Sequence, residues 1–272
     1  MHMNNHIHHV VGVVPQLLLG LPFVLALVMY ILAVVVSHRR HKQWPLYRTI
    51  FWVLGVLCAT VAVVGPVANH AHMNFTAHMI SHLLLGMLAP LLMVLAAPMT
   101  LTLRTLNTAL ARRFSRVLKS WPVRIISDPS VASFLNIGGL WILYTTSLYE
   151  IMQQNTLLHM LIHIHVFFAG YLFTVSMIYI DPTPHRSSFV YRAIVLIITL
   201  AGHAILSKYI YAYPPDSVPV EQAETGGMLM YYGGDVIDLV LIFIFCFQWF
   251  RVTRPRASLV MGQGTHKYHM NQ

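Results

Sequence analysis

Charge is scarce in this sequence. Asp, Glu, Lys and Arg make up 9% of its 272 residues, against roughly a quarter in soluble domains, so an ordinary water-soluble enzyme is a poor fit. Cysteine is nearly absent: Cys58 and Cys246 are the only two. Each falls inside an apolar run, at depths that do not suggest a disulfide, and without a Cys-x-x-Cys pair nothing points to thiol redox work or to soft-metal transfer through sulfur. Acidic residues number 8 against 17 Lys and Arg. No hydrophilic stretch is long enough to form a second domain. No internal repeat is visible, which removes support for an inverted-repeat transporter.

What the chain has in quantity is apolar length. It is 57% hydrophobic, with a mean hydropathy of +0.65. Seven runs approach or exceed the about 20 residues that cross a bilayer as helix: roughly 15–36, 47–67, 79–98, 131–149, 157–179, 190–212 and 234–251. The expectation is an all-α integral membrane protein, a seven-transmembrane helical bundle over residues 15–252, with tails at 1–14 and 253–272. Residues 1–14 hold His2, His6, His8 and His9 but no Lys or Arg, so no cleavable leader is evident and the first run is expected to stay as a span.

Basic residues predict the orientation. With seven spans, Lys208 alone of the 17 Lys and Arg falls away from one side, the side of Arg39, Arg48, the 104–124 cluster, Arg186, Arg192 and the residues after Arg251. That side is expected to be cytoplasmic, with the N-terminus outside and the C-terminus inside. Glu150, Asp216, Glu221, Glu224, Asp235 and Asp238 lie at or near the other side. The net charge of +9 then reads as topology, and no nucleic-acid partner is expected. The arginine-rich stretch 111–119 with Trp121 reads either as a solvated loop or as an amphipathic helix on anionic lipid.

Prolines and glycines punctuate the spans. Pro90 predicts a kink around 86–90, because it leaves a carbonyl of the preceding turn without its N–H. Asp181, Pro182, Thr183 and Pro184 are expected to end the fifth span as a rigid turn. Between spans 6 and 7 a loop is expected, stiff at Pro214, Pro215 and Pro219 and flexible at Gly226, Gly227, Gly233 and Gly234.

The chemistry lies in histidine. His78/His82 and His159/His163 are two pairs at a spacing of four, which stacks side chains on one helical face about 6 Å apart along the axis. Both pairs fall near the same end of their spans. His203 sits at similar depth in span 6, and Asp235 and Asp238 in the first turns of span 7. Ionisable groups persist in hydrocarbon only with partners. His78, His82, His159, His163, His203 and Asp238 are therefore the candidate metal ligands, with Asp238 either binding directly or holding a histidine tautomer; the alternative is that the same rings bond only to one another across helices. Whether His165 and Asp235 join them stays open, since His165 is about 200° around the helix from His163. Imidazole suits copper, zinc, iron and nickel. Methionines concentrate in the same half, and thioether favours cuprous copper but is also ordinary packing. His70, His72, Met73 and Asn74 are candidates to receive a metal before it enters the bundle. A membrane haem protein with bis-histidine ligation is the alternative. A metal hydrolase is weaker, since its acidic candidates are mainly Asp235 and Asp238.

The run from His78 through Ile80, Ser81, His82, Gly86 and Met87, continuing to Ala89, Pro90, Ala97 and Pro98, together with His159, His163, His165, Gly170, Asp181, Pro182, Arg192, His203, Gly227, Gly234 and Asp238, resembles the CtaG family of bacterial cytochrome c oxidase assembly factors. The resemblance covers most of the chain from the third span onward. It implies about seven spans in the bacterial cytoplasmic membrane and a copper-binding role toward the outer face. It further implies help in delivering copper to the copper B centre in the largest subunit of a haem-copper cytochrome c oxidase, with a copper donor on the outer side.

Overall fold

A computed structural model describes residues 13–40 and 43–254, and every regular element among them is helical. The helices are α1 (Val13–Arg40), α2 (Leu46–Val63), α3 (Pro66–Met73), α4 (Phe75–Leu83), α5 (Ala89–Leu95), α6 (Pro98–Thr105), α7 (Thr108–Leu118), α8 (Trp121–Ile126), α9 (Pro129–Ser133), α10 (Gly139–Thr145), α11 (Leu148–Gln154), α12 (Thr156–Met177), α13 (Phe189–Ala212) and α14 (Val220–Thr253). Wider π turns at Leu84–Leu88 and Phe134–Gly138 join α4 to α5 and α9 to α10. His2, His6, His8 and His9, Lys42 and nearly all of both tails lie outside the described residues.

Among the described residues six helical stretches are long and apolar enough to cross a membrane: α1, α2, α4 through α5, α12, α13 and α14. The α9–α10 segment and α11 make a seventh only if counted as one span, because they meet at a bend of 81°. The protein is thus an all-α, multi-pass helical membrane bundle. Side chains facing away from it, such as Ile197 and Phe243, are apolar and exposed, as lipid requires.

Short polar side chains set the helix starts. Asn74, Asn107, Asp128, Asn155 and Ser188 each accept a backbone N–H at the start of the helix that follows, satisfying donors that have no partner in the first turn. Asp181 does this at a distance. Its carboxylate accepts from Met99 N at 3.0 Å, Thr100 N at 2.7 Å and Thr100 Oγ1 at 2.6 Å, so the Asp-Pro turn after α12 caps α6. Nearby, the buried Arg192 donates from Nη1 to the Met177 carbonyl at 2.6 Å and lies 4.0 Å over the Tyr179 ring. The arginine-rich connection is helical as α7 and buries none of its residues.

Two sequence expectations are corrected. The fourth span does not run straight to residue 149. It stops at Thr145, and α11 folds back so that Tyr149 packs 5.4 Å from Phe75 and Met152 is fully buried. Nor are the glycines before Asp235 a flexible loop. Helix α14 starts at Val220 and carries Gly226, Gly227, Gly233 and Gly234 within it, placing Asp235 and Asp238 near its middle. Small residues let membrane helices approach closely. A Cβ on Gly227 would stand 2.9 Å from the Ser207 carbonyl oxygen of α13, so what resembles loop composition is an interface.

The expected irregularity at Gly86–Pro90 is the π turn Leu84–Leu88. Pro90 offers the Gly86 carbonyl no N–H, and that oxygen faces α12 so closely that a Cβ on Gly170 would overlap it. Helix α12 thereby seats against the π turn, bringing its histidine face to α4.

Candidate metal centre

Capped by Asn74, α4 presents His78 and His82 on one buried face. Capped by Asn155, α12 presents His159 and His163 on another. His203 on α13 and Asp238 on α14 are also buried. Aromatic ring centroids show how these groups meet: His159 to His163 at 4.0 Å, His78 to His163 at 6.3 Å and His82 to His203 at 6.4 Å. Gly234 makes room for the last pair, since a Cβ there would stand 2.6 Å from His203 Cε1.

Hydrogen bonding divides the ring nitrogens into those engaged and those left over. His163 Nδ1 lies 2.9 Å from the His159 carbonyl oxygen and donates to it, leaving Nε2 with the lone pair. His78 Nε2 meets the Tyr144 hydroxyl at 3.0 Å. His82 Nε2, His159 Nδ1 and His203 Nε2 are buried and have no hydrogen-bond partner. A buried polar group left unmatched costs about 1–3 kcal/mol, so three such nitrogens along one line of rings are poorly explained as bonding across helices.

Three small cavities follow this line. One of about 10 Å³ is lined by Gln16, His72, His159 and His163. The next, about 20 Å³, has His163, His78, Ser81, Tyr144 and His82 in its wall. The third, about 30 Å³, is lined by His82, His203, Asp238, Asn136 and Thr199. Each is of the size of a water molecule or a bare ion and far below that of a porphyrin. Among the described residues no three His, Cys, Asp or Glu side chains are placed so as to hold one metal ion; the imidazoles meet in pairs.

His165 and Asp235 stand apart. His165 is exposed, its Nε2 3.0 Å from the Leu135 carbonyl oxygen in the second π turn, and Asp235 is exposed on α14. Cys58 and Cys246 are free thiols. Sequence reasoning gave no place to Tyr144 and Tyr149, whose rings lie 6.1 and 5.1 Å from His78. His72 falls between the second and third apolar runs of the sequence, and α3 carries its ring to 4.2 Å from His159. His72 lies outside the membrane-spanning helices, and burial lowers its pKa from the usual imidazole value, opposed in part by a hydrogen bond with Gln153. The shift favours the neutral ring, the form of imidazole that can bind a metal.

Among curated proteins the chain is 27% identical over 182 residues to an uncharacterized protein of Mycobacterium leprae, a match covering 64% of this chain and 28% of that protein. It is 29% identical over 194 residues to an uncharacterized protein of Mycobacterium bovis, covering 69% of this chain and 29% of that one. The chain thus matches under a third of the length of these relatives. No solved structure matches it. Residues 28–252 match the family of the cytochrome c oxidase caa3 assembly factor (Caa3_CtaG), a stretch that takes in the later half of α1 and every helix to the end of α13, nearly all of α14, and His72, His78, His82, His159, His163, His203 and Asp238. The chain belongs to the cytochrome c oxidase caa3 assembly factor family.

Proposed function

We propose that this protein is a copper-binding assembly factor that helps deliver or insert copper into the copper B centre of a haem-copper cytochrome c oxidase, working on the oxidase's largest subunit. The observation that carries the reading is the row of buried imidazoles with unpartnered nitrogens at His82, His159 and His203. Copper is here a cargo. A resident structural ion is closed in by four ligands, whereas a cargo ion must leave, and rings that meet in pairs suit low coordination and ligand exchange. His78, His82, His159, His163 and His203 are the proposed ligands. Asp238 either binds directly or orients the His82 and His203 rings from the wall they share.

The bias of Lys and Arg supports an N-terminus outside and a C-terminus inside, in a bacterial cytoplasmic membrane. The His72 end of the bundle then faces outward, where a copper donor supplies it. Bis-histidine haem is disfavoured by the size of the cavities between the rings, about 10 to 30 Å³.

The test is the copper content of the oxidase purified from cells lacking this protein. The expected product carries its haem but is depleted of copper B, and is restored by the intact gene in trans. A fully copper-loaded oxidase from those cells would remove the proposal, and a Soret band in the purified assembly factor would restore the haem alternative.

A further inference from the structure

We propose that copper occupies two successive stations in this bundle, a first made by His72 and His159 beside His163, and a second made by His82 and His203 beside Asp238, with the ion handed between them across His163 and His78. This rests on the copper-binding reading and adds its route.

The cavities are in series. His163 lines both the first and the second, and His82 lines both the second and the third, so no step along the row crosses purely apolar packing. At each end stands an imidazole pair with unpartnered nitrogen: His159 Nδ1 at the first, His82 Nε2 and His203 Nε2 at the second. The ring separations are 4.2 Å for His72 and His159 and 6.4 Å for His82 and His203. With metal–imidazole bonds of about 2 Å, modest ring rotations aim either pair at one ion.

Between the stations the rings are differently disposed. His163 Nδ1 donates to the His159 carbonyl, which leaves Nε2 free to take the ion, while His78 Nε2 is engaged by the Tyr144 hydroxyl. Both rings line the middle cavity that joins the two stations. His72 is the half-buried member of the row and the other five histidines are buried, which makes α3 the mouth. Transfer is ligand exchange of a cuprous ion: one copper–nitrogen bond forms as another breaks, copper keeps its oxidation state and the imidazoles stay neutral, so no electron or proton donor is needed. Asp238 lines the far cavity and offers an oxygen to the ion or to a ring N–H there, whereas no carboxylate is among the described residues lining the first.

The test is anaerobic titration of the full-length protein in detergent with Cu(I), in competition with bicinchoninate. The protein is purified through a tag without histidine, and His2, His6, His8 and His9 are replaced by alanine in every sample. Two ions per chain are expected. The His72→Ala/His159→Ala variant should lose one and keep the other, and His82→Ala/His203→Ala should do the reverse, both eluting from size exclusion like the parent. Should either pair fail to fold, His72→Gln and His203→Gln read the same split. One ion per chain lost entirely through either substitution, any other count, or indifference to both pairs overturns the two stations while leaving copper binding in place. No copper bound by the parent overturns the copper-binding reading itself.

Discussion

Cells carrying a His159→Ala/His163→Ala variant are expected to assemble an oxidase with no more than about a tenth of its normal copper B. Disturbing even the outer shell of a metal site lowers affinity about 10- to 100-fold, and this change removes two rings at once, one of them shared by neighbouring cavities. Alanine keeps α12 helical. Loss of the His159 ring also removes a buried nitrogen without a partner, which offsets part of the lost packing, so the variant is expected to reach the membrane in normal amount. Metal analysis of the purified oxidase, normalised to its haem, checks this. Normal copper B would mean that the α12 histidines are not on the route.

Gly170→Ala should be the most damaging single change to the fold. A methyl at that position overlaps the Gly86 carbonyl oxygen and stands 3.0 Å from its carbon. The obstacle is backbone, so α12 and the π turn must separate. Overpacking a tight site commonly costs about 1–3 kcal/mol and more where nothing can yield; about 3 kcal/mol or more is expected here. Gly138→Ala is the control. The nearest atom to its new methyl is a Phe134 ring carbon at 3.5 Å, an ordinary contact, and little change is expected. Thermal melts of the two variants in detergent report the difference. Equal melting temperatures would contradict the close seating of α12 against Gly86, and with it the way the two histidine faces are brought together.

The parts of this architecture that were legible in the sequence are those governed by local period. Histidines four apart share a helical face whatever surrounds them, so the pairs on α4 and α12 stood out, and Pro90 marked the irregular turn beside them. His165 was separated from His163 by the same geometry and does face outward. What was hidden depends on neighbours. Gly226 to Gly234 have the composition of a loop, and only their contact with Phe75, Ser207, Leu83 and His203 makes them a packing surface. Asp235 and Asp238 look alike in sequence, yet one is exposed and the other buried. The bend after Thr145, which brings Tyr149 over His78, leaves Tyr144 and Tyr149 indistinguishable in sequence from interfacial tyrosines. His72 lies beyond a helix break, where spacing no longer reports direction.

The central claim is that the buried imidazoles themselves hold copper. X-ray absorption at the copper edge of the full-length protein loaded with Cu(I), again with His2, His6, His8 and His9 replaced, tests it most directly. A shell of two or three nitrogens at about 2 Å with the multiple scattering of imidazole, lost when His82, His159, His163 and His203 are replaced together, is the expected result. A shell dominated by sulfur from the surrounding methionines, or an unchanged spectrum after those replacements, would contradict it.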